Sequence, residues 1–158
     1  MTEEEIFGKL ALMCSSAEHC QWDMTEKMRR RNIDAATQKA VIQRLVDDGY
    51  IDEKRYCRAF VNDKVRYDRW GRRKIEQSLR LKHIAPDIYL PALDAVSTDE
   101  YVSALRPLIE NKRKTVKACN AYEMKGKLVR FALQRGFTFD VINRCIDDCD
   151  EYITDDDD

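Results

Sequence analysis

Three segments of the chain close on the same cadence, and their spacing limits the possible folds more than any other feature. Met28-Arg29-Arg30-Arg31-Asn32-Ile33, Leu79-Arg80-Leu81-Lys82-His83-Ile84 and Ala132-Leu133-Gln134-Arg135-Gly136-Phe137 end on apolar residues 51 and 53 positions apart. Nine places before each closing residue stands another apolar one, at Met24, Ile75 and Leu128. Such a period means one supersecondary unit used three times, which gives an elongated array. Extended arrays bind long partners and seldom enclose a catalytic pocket.

Helical spacing fills every repeat, so the fold reads as all-α: tandem three-helix repeats, three units and nine helices. Residues 1–50 form the first repeat, 51–96 the second, 97–152 the third, and 153–158 an acidic disordered tail. In the first, Thr2-Glu3-Glu4-Glu5 is a capping box, and Ile6, Leu10 and Met13 make an apolar stripe. A second helix is expected over Ala17 to Asn32, then a third capped by Asp34 and stopped by Gly49. In the second repeat Asp52 is an N-cap, Gly71 breaks a long helix, and Arg72 to His83 form the next. Pro86 suits the first turn of a short helix that Pro91 strains. In the third, Ser97-Thr98-Asp99-Glu100 is another capping box, Pro107 a kink, and Gly136 ends the helix begun near Tyr122. Thr138 caps the last helix, which carries Val141, Ile142, Cys145 and Cys149.

The net charge of −1 hides strong segregation. Asp52 to Lys82 holds eleven Lys/Arg against five Asp/Glu, and Arg106 to Arg135 holds nine against two. From Thr138 onward one Arg faces nine acids. This asymmetry points to a nucleic acid or an acidic partner. No apolar run approaches the roughly 20 residues of a membrane span, and the acidic start is unlike a signal peptide. The reading is a cytoplasmic protein without a membrane partner. The six cysteines form no C-x-x-C pair and sit in apolar helical patterns, so they read as buried, reduced thiols. Cys14, His19 and Cys20 are the best metal candidates, but their spacing fits no zinc pattern, and no metal or cofactor is expected. Catalysis has no constellation behind it: adjacent acids such as Asp47-Asp48 and Asp147-Asp148 do not converge, and no phosphate loop, nucleophile elbow or HExxH occurs.

The run Tyr50-Ile51-Asp52-Glu53-Lys54-Arg55-Tyr56-Cys57-Arg58-Ala59-Phe60-Val61, followed by Arg66, Gly71 and Arg72 through Ile84, closely resembles the RecX family. Matches to the family pattern fall at Ile51, Asp52, Glu53, Arg55, Tyr56, Phe60, Val61, Gly71, Lys74, Ile75, Gln77, Leu79, Lys82 and Ile84. Lys125 through Phe137 resembles the family's closing segment, and Leu12 through Cys20 resembles some members. The resemblance implies a curved, crescent-like array of three-helix units lodged in the groove of a filament of RecA recombinase on DNA. It implies a non-enzymatic regulator that limits filament growth, strand exchange, ATP hydrolysis and coprotease activity.

Arg66, Arg69, Trp70, Arg72, Arg73 and Lys74 form the densest basic cluster, interrupted by an aromatic. Phosphate-tracking surfaces need cations at intervals, and an aromatic face stacks on bases. Lys112, Arg113, Lys114, Lys127 and Arg130 offer a second basic surface toward RecA or single-stranded DNA. Arg29, Arg30 and Arg31 fan around a helix and read as solvated. Tyr56, Phe60, Val61, Ile75, Leu79, Ile84, Leu128 and Phe137 read as core. The expected partners are the RecA filament and the single-stranded DNA within it, bound by a monomer. Two alternatives stay open: a general nucleic-acid-binding helical module, and a scaffolding array whose basic surfaces meet acidic proteins.

Overall fold

The structure, a computed structural model, describes residues 1–154, with side chains as far as Ile146. Among the described residues it contains helices α1 (Glu3–Ser16), α2 (Gln21–Arg30), α3 (Ala35–Asp47), α4 (Glu53–Arg66), α5 (Arg72–Leu81), α6 (Pro86–Asp94), α7 (Thr98–Thr115), α8 (Ala121–Gln134) and α9 (Phe139–Thr154), and no strand. The architecture is an all-α tandem array of three-helix sets. Of the tail assigned to 153–158, Ile153 and Thr154 belong to α9, and residues 155–158 lie outside the described residues, as do the side chains of Asp147, Asp148 and Cys149.

Helix starts follow short polar side chains. Thr2 Oγ1 accepts the Glu5 N–H at 3.2 Å, Asp34 Oδ2 that of Thr37 at 3.1 Å, and Asp52 Oδ1 that of Arg55 at 3.1 Å. Ser97 Oγ and Asn120 Oδ1 do the same for Glu100 and Glu123. Each such cap contributes about 1 kcal/mol. Helices α5 and α6 follow Gly71 and Ala85 instead, and α2 is a further exception. It begins at Gln21 instead of Ala17, because Ala17 is extended and the chain needs a connector between α1 and α2. Its N-cap Cys20 makes no side-chain bond, and Glu53 Oε1 of α4 accepts the Gln21 N–H at 3.4 Å instead.

Helix ends explain the repeated cadence. Asn32, His83 and Gly136 adopt left-handed φ values of 60°, 58° and 93°. At each, the next residue's N–H reaches back five positions: Ile33 to Met28 O, Ile84 to Leu79 O, Phe137 to Ala132 O. This double-bonded turn satisfies carbonyls that a helix terminus otherwise leaves open, and it carries an apolar contact between its two ends.

The chain divides into two compact units. Unit 1 comprises Met1–Phe60 and Leu79–Ala92. Its core includes Ile6, Leu10, Met24, Met28, Val41, Leu45 and Ile51. In the same unit, Lys82 pairs with Asp23 at 2.7 Å, its ammonium about 6 Å from the Trp22, Tyr56 and Phe60 rings. Tyr56, Leu79 and Ile84 are buried, whereas Phe60, read as core, is half-buried and stacks on Tyr56 with ring centroids 5.6 Å apart. Glu53 Oε2 is buried without a partner, and burial holds the Glu53 carboxyl above its ordinary pKa.

Unit 2 comprises Val61–Ser78 and the chain from Leu93 onward. Val61, Ile75, Leu105, Leu128, Phe137 and Ile142 are buried there. Helix α4 stops at Arg66, so Gly71 does not break it. Gly71 instead lets two helix ends meet. Its N–H donates to Arg135 O at 2.8 Å, and the Arg73 N–H donates to Gly136 O at 2.9 Å. The amides opening α5 thus answer the carbonyls just past α8. A Cβ on Gly71 would lie 2.2 Å from Phe137 N, and one on Gly136 2.4 Å from the Lys74 backbone. Helix α7 continues through Pro107, and α6 through Pro91.

Cys14, Cys20, Cys57 and Cys145 are buried thiols, and burial pushes the Cys20 and Cys57 thiols up to about 12 and about 11. Cys119 corrects the expectation of buried thiols: it lies exposed between α7 and α8, outside any apolar stripe. No group of three His, Cys, Asp or Glu placed to hold a metal occurs among the described residues. No helix among them is long and apolar enough to cross a membrane.

Gly71→Ala costs about 1–3 kcal/mol through overpacking, and Gly136→Ala costs more than about 3 kcal/mol because left-handed strain adds to the clash. Gly8→Ala, in open space within α1, gains about 0.5–1 kcal/mol. Urea unfolding checks all three. Glu53→Gln stabilises the protein near pH 7. A raised carboxyl pKa makes the native state destabilised by this group at neutral pH and relieved as it protonates. The advantage therefore closes as pH falls through the folded-state pKa, read from urea midpoints across pH.

Candidate functional site

Positive charge is concentrated in unit 2 up to Ile146, where sixteen Lys/Arg stand against nine Asp/Glu; the eight acids of residues 147–158 bring the whole unit to sixteen against seventeen, and unit 1 holds twelve of each. The densest part is the corner made by the end of α4, residues 67–71 and the start of α5.

Most of that corner is tied into the fold. Trp70 is half-buried, its N–H on Lys64 O, with the Lys64 and Lys74 ammonium groups 4.5 and 4.4 Å from the ring centroid. Two cations therefore already use the electron-rich ring. Arg69 stands at φ 54° and donates to Ala104 O of α7 at 3.2 Å. Arg135 donates to Asp68 O at 2.6 Å and Arg69 O at 3.3 Å, fixing the loop from the far side. Arg72 pairs with Asp94 at 2.6 Å. What remains open is Arg66 and Arg73, both exposed and without an ion pair among the described residues. At the start of α5 two amides, those of Gly71 and Arg73, are already taken by the Arg135 and Gly136 carbonyls, which leaves fewer donors there for a phosphate.

The second basic surface sorts the same way. Lys112 is half-buried, 5.1 Å from the Phe131 ring centroid, and Arg113 is half-buried with an unpartnered Nε. Lys127 donates to Lys117 O at 2.6 Å and pairs with Glu123 at 3.1 Å. Lys114 and Arg130 are exposed. Arg130 lies six residues before Gly136 along the chain, so it stands roughly 9 Å along the α8 axis from the junction with α5. A shallow groove of about 440 Å³ lies beside Arg66, lined also by Val65, Arg69, Asp99, Glu100, Ser103 and Ala104.

Two features escape sequence reading. Tyr67 and Tyr122 are 79% and 89% exposed, yet nothing in their spacing marks them. Arg135 is the fastener of the basic corner, and its signal is only its place before Gly136.

The chain was compared with known proteins. A family model described as the second three-helix domain of RecX matches residues 52–93, and one for the third three-helix domain matches 99–146. A protein of Vibrio campbellii named regulatory protein RecX is 31% identical over 139 residues, covering 88% of each chain. One of Clostridium perfringens with the same name is 25% identical, and the match covers 78% of this chain and 58% of that one. The crystal structure of RecX from Lactobacillus salivarius superposes with a TM-score of 0.79 at 21% identity, covering 94% of this chain and 96% of that one. A second crystal structure, of a regulatory protein RecX, gives 0.83 at 16%, covering 92% and 73%.

Arg135→Gln leaves the turn at Gly136 intact but releases two loop carbonyls, at a cost of about 1–2 kcal/mol. Hydrogen exchange reads it directly: the Gly71 amide loses about tenfold in protection, while amides in the middle of α7 keep theirs.

Proposed function

The chain belongs to the RecX family, and from that premise we propose that it is a non-enzymatic regulator of RecA recombinase, acting as a monomer in the cytoplasm. It occupies the groove of the RecA–DNA filament and inhibits filament growth, ATP hydrolysis, strand exchange and coprotease activity, and so regulates recombinational repair and the SOS response. The observation carrying this reading is the positive charge segregated into residues 61–78 and 93–146 of unit 2, with Arg66, Arg73, Lys114 and Arg130 left exposed after structural pairing. Such a surface is attracted to phosphates and releases counterions on contact. It speeds encounter with a polyanionic filament, and binding shifts the filament toward the state that fits it. That the relatives are named regulatory proteins supports a role without chemistry of its own.

RecA ATPase on single-stranded DNA is measured as the protein is titrated in, with binding to bare DNA followed in the same buffer. Half-inhibition is expected well below the concentration that occupies bare DNA. Arg66→Glu with Arg73→Glu raises the half-inhibitory concentration about tenfold without moving the unfolding midpoint. Inhibition that tracks bare-DNA sequestration replaces this reading with a general nucleic-acid-binding module. No effect on either replaces it with a scaffold.

A further inference from the structure

Unit 1 holds a groove that the filament reading leaves unused. It lies between α1 and the end of α2 and encloses about 450 Å³, within the size range of ligand sites of about 300–1,000 Å³. Ile6, Leu10 and Met28 form a buried floor, and Met13 and Ile33 are half-buried walls. Leu12 and Met1, 71% and 64% exposed, extend the apolar surface to the rim. Every charged residue lining it is a cation: Lys9, Lys27, Arg30 and Arg31.

The arginine triplet is resolved by this geometry. Arg29 points away and pairs with Glu26 at 2.6 Å, whereas Arg30 and Arg31 line the groove with no ion pair among the described residues. Their guanidinium groups also stand at the carbonyl end of α2, where positive charge is favoured. An apolar trough with an unpaired, single-sign rim exposes surface that water solvates poorly beside charge that nothing neutralises.

We propose that this groove docks an acidic amphipathic helix of a partner protein, its apolar face on Ile6, Leu10, Met13 and Met28 and its carboxylates on Lys27, Arg30 and Arg31. Three features select that occupant. Helices enter grooves of this kind through anchors at i, i+3, i+4 and i+7 spacing. Methionines at Met1, Met13 and Met28 let the wall adapt to differing anchors. The lining has no aromatic residue on which a nucleic acid base would stack, while its apolar floor beside cations complements a helix that carries both apolar and carboxylate side chains. The groove shares no residue with the basic surface of unit 2, and this inference stands or falls separately from the filament reading.

Fluorescence anisotropy on the full chain tests it. The probe is a labelled peptide of glutamates with leucines at helical i, i+3, i+4 spacing; controls are the same composition scrambled and a version with lysines for glutamates. The amphipathic acidic peptide is expected to bind about tenfold tighter than either control. Leu12→Glu and Lys27→Glu with Arg30→Glu each weaken it about tenfold at unchanged unfolding midpoint. Two variants on opposite sides of the groove keep the test valid if one disturbs folding. Equal binding of the scrambled peptide overturns the groove in favour of plain charge attraction. So do variants that bind as tightly as the parent. Displacement of the peptide by a single-stranded oligonucleotide, with both losing affinity in Lys27→Glu with Arg30→Glu, makes the site a phosphate-binding surface and overturns the proposal.

Discussion

The left-handed turn that ends α2, α5 and α8 is the constraint from which the rest of the fold follows. At Asn32, His83 and Gly136 the helix stops, two amides cap its last carbonyls, and the chain is aimed into the next helix. The residue after each turn is apolar and packs back toward the helix it has just left. A turn so determined sets the separation of everything downstream, which is why the closing residues recur at 51 and 53 positions. The residue type at the turn depends on what lies beside it. Asn tolerates the left-handed region through its short polar side chain. His83 holds it at the cost of some strain. At the third turn the backbone of Lys74 stands where a Cβ would go, so only glycine fits.

That third turn also decides how the basic corner is built. Amides at the start of α5 are met by carbonyls past the end of α8, so two helix dipoles run head to tail across Gly71 and Gly136. Arg135 then reaches from the turn to the carbonyls of Asp68 and Arg69. Residues 68–71 are held from both ends by backbone geometry, and the side chains on that loop inherit fixed positions. A contact surface built on such a loop loses little entropy when it binds.

Much of the architecture was legible because helical folds write their cores at regular spacing. Met24, Ile75 and Leu128 are fully buried, and each lies nine residues before a helix-closing turn. Capping side chains at Thr2, Asp34 and Ser97 marked helix starts because their bonds are local in sequence. Where the determining partner is distant, sequence reading failed. Helix α2 starts late because its cap comes from Glu53, in another helix. Gly71 looked like a helix breaker because nothing local shows that Phe137 passes within contact distance. The basic cluster was visible as composition, but composition cannot separate Arg72, paired with Asp94, from Arg73, which is open. Hydrophobic character alone likewise does not say that Cys119 falls in the connector between α7 and α8, or how far the flank of α4 that carries Phe60 is covered.

Structural use of an arginine does not remove it from the field that the unit presents. Arg69 and Arg135 donate to backbone carbonyls, which are neutral, so their full charge persists in the potential around unit 2. Only ion pairs cancel, among them Lys64 with Asp68, Arg72 with Asp94, Lys127 with Glu123 and Arg144 with Asp99. One residue type thereby fastens the loop and attracts a polyanion. Attraction of this kind acts over about 10 Å at moderate ionic strength and needs no contact. In the contact proposed above, the exposed members, Arg66 and Arg73 among them, would meet the partner directly. The two roles separate by salt, since screening weakens the long-range field well before it breaks a guanidinium–carbonyl bond inside the fold. A basic run in a helical repeat is therefore better judged by what its neighbours are than by how many cations it contains.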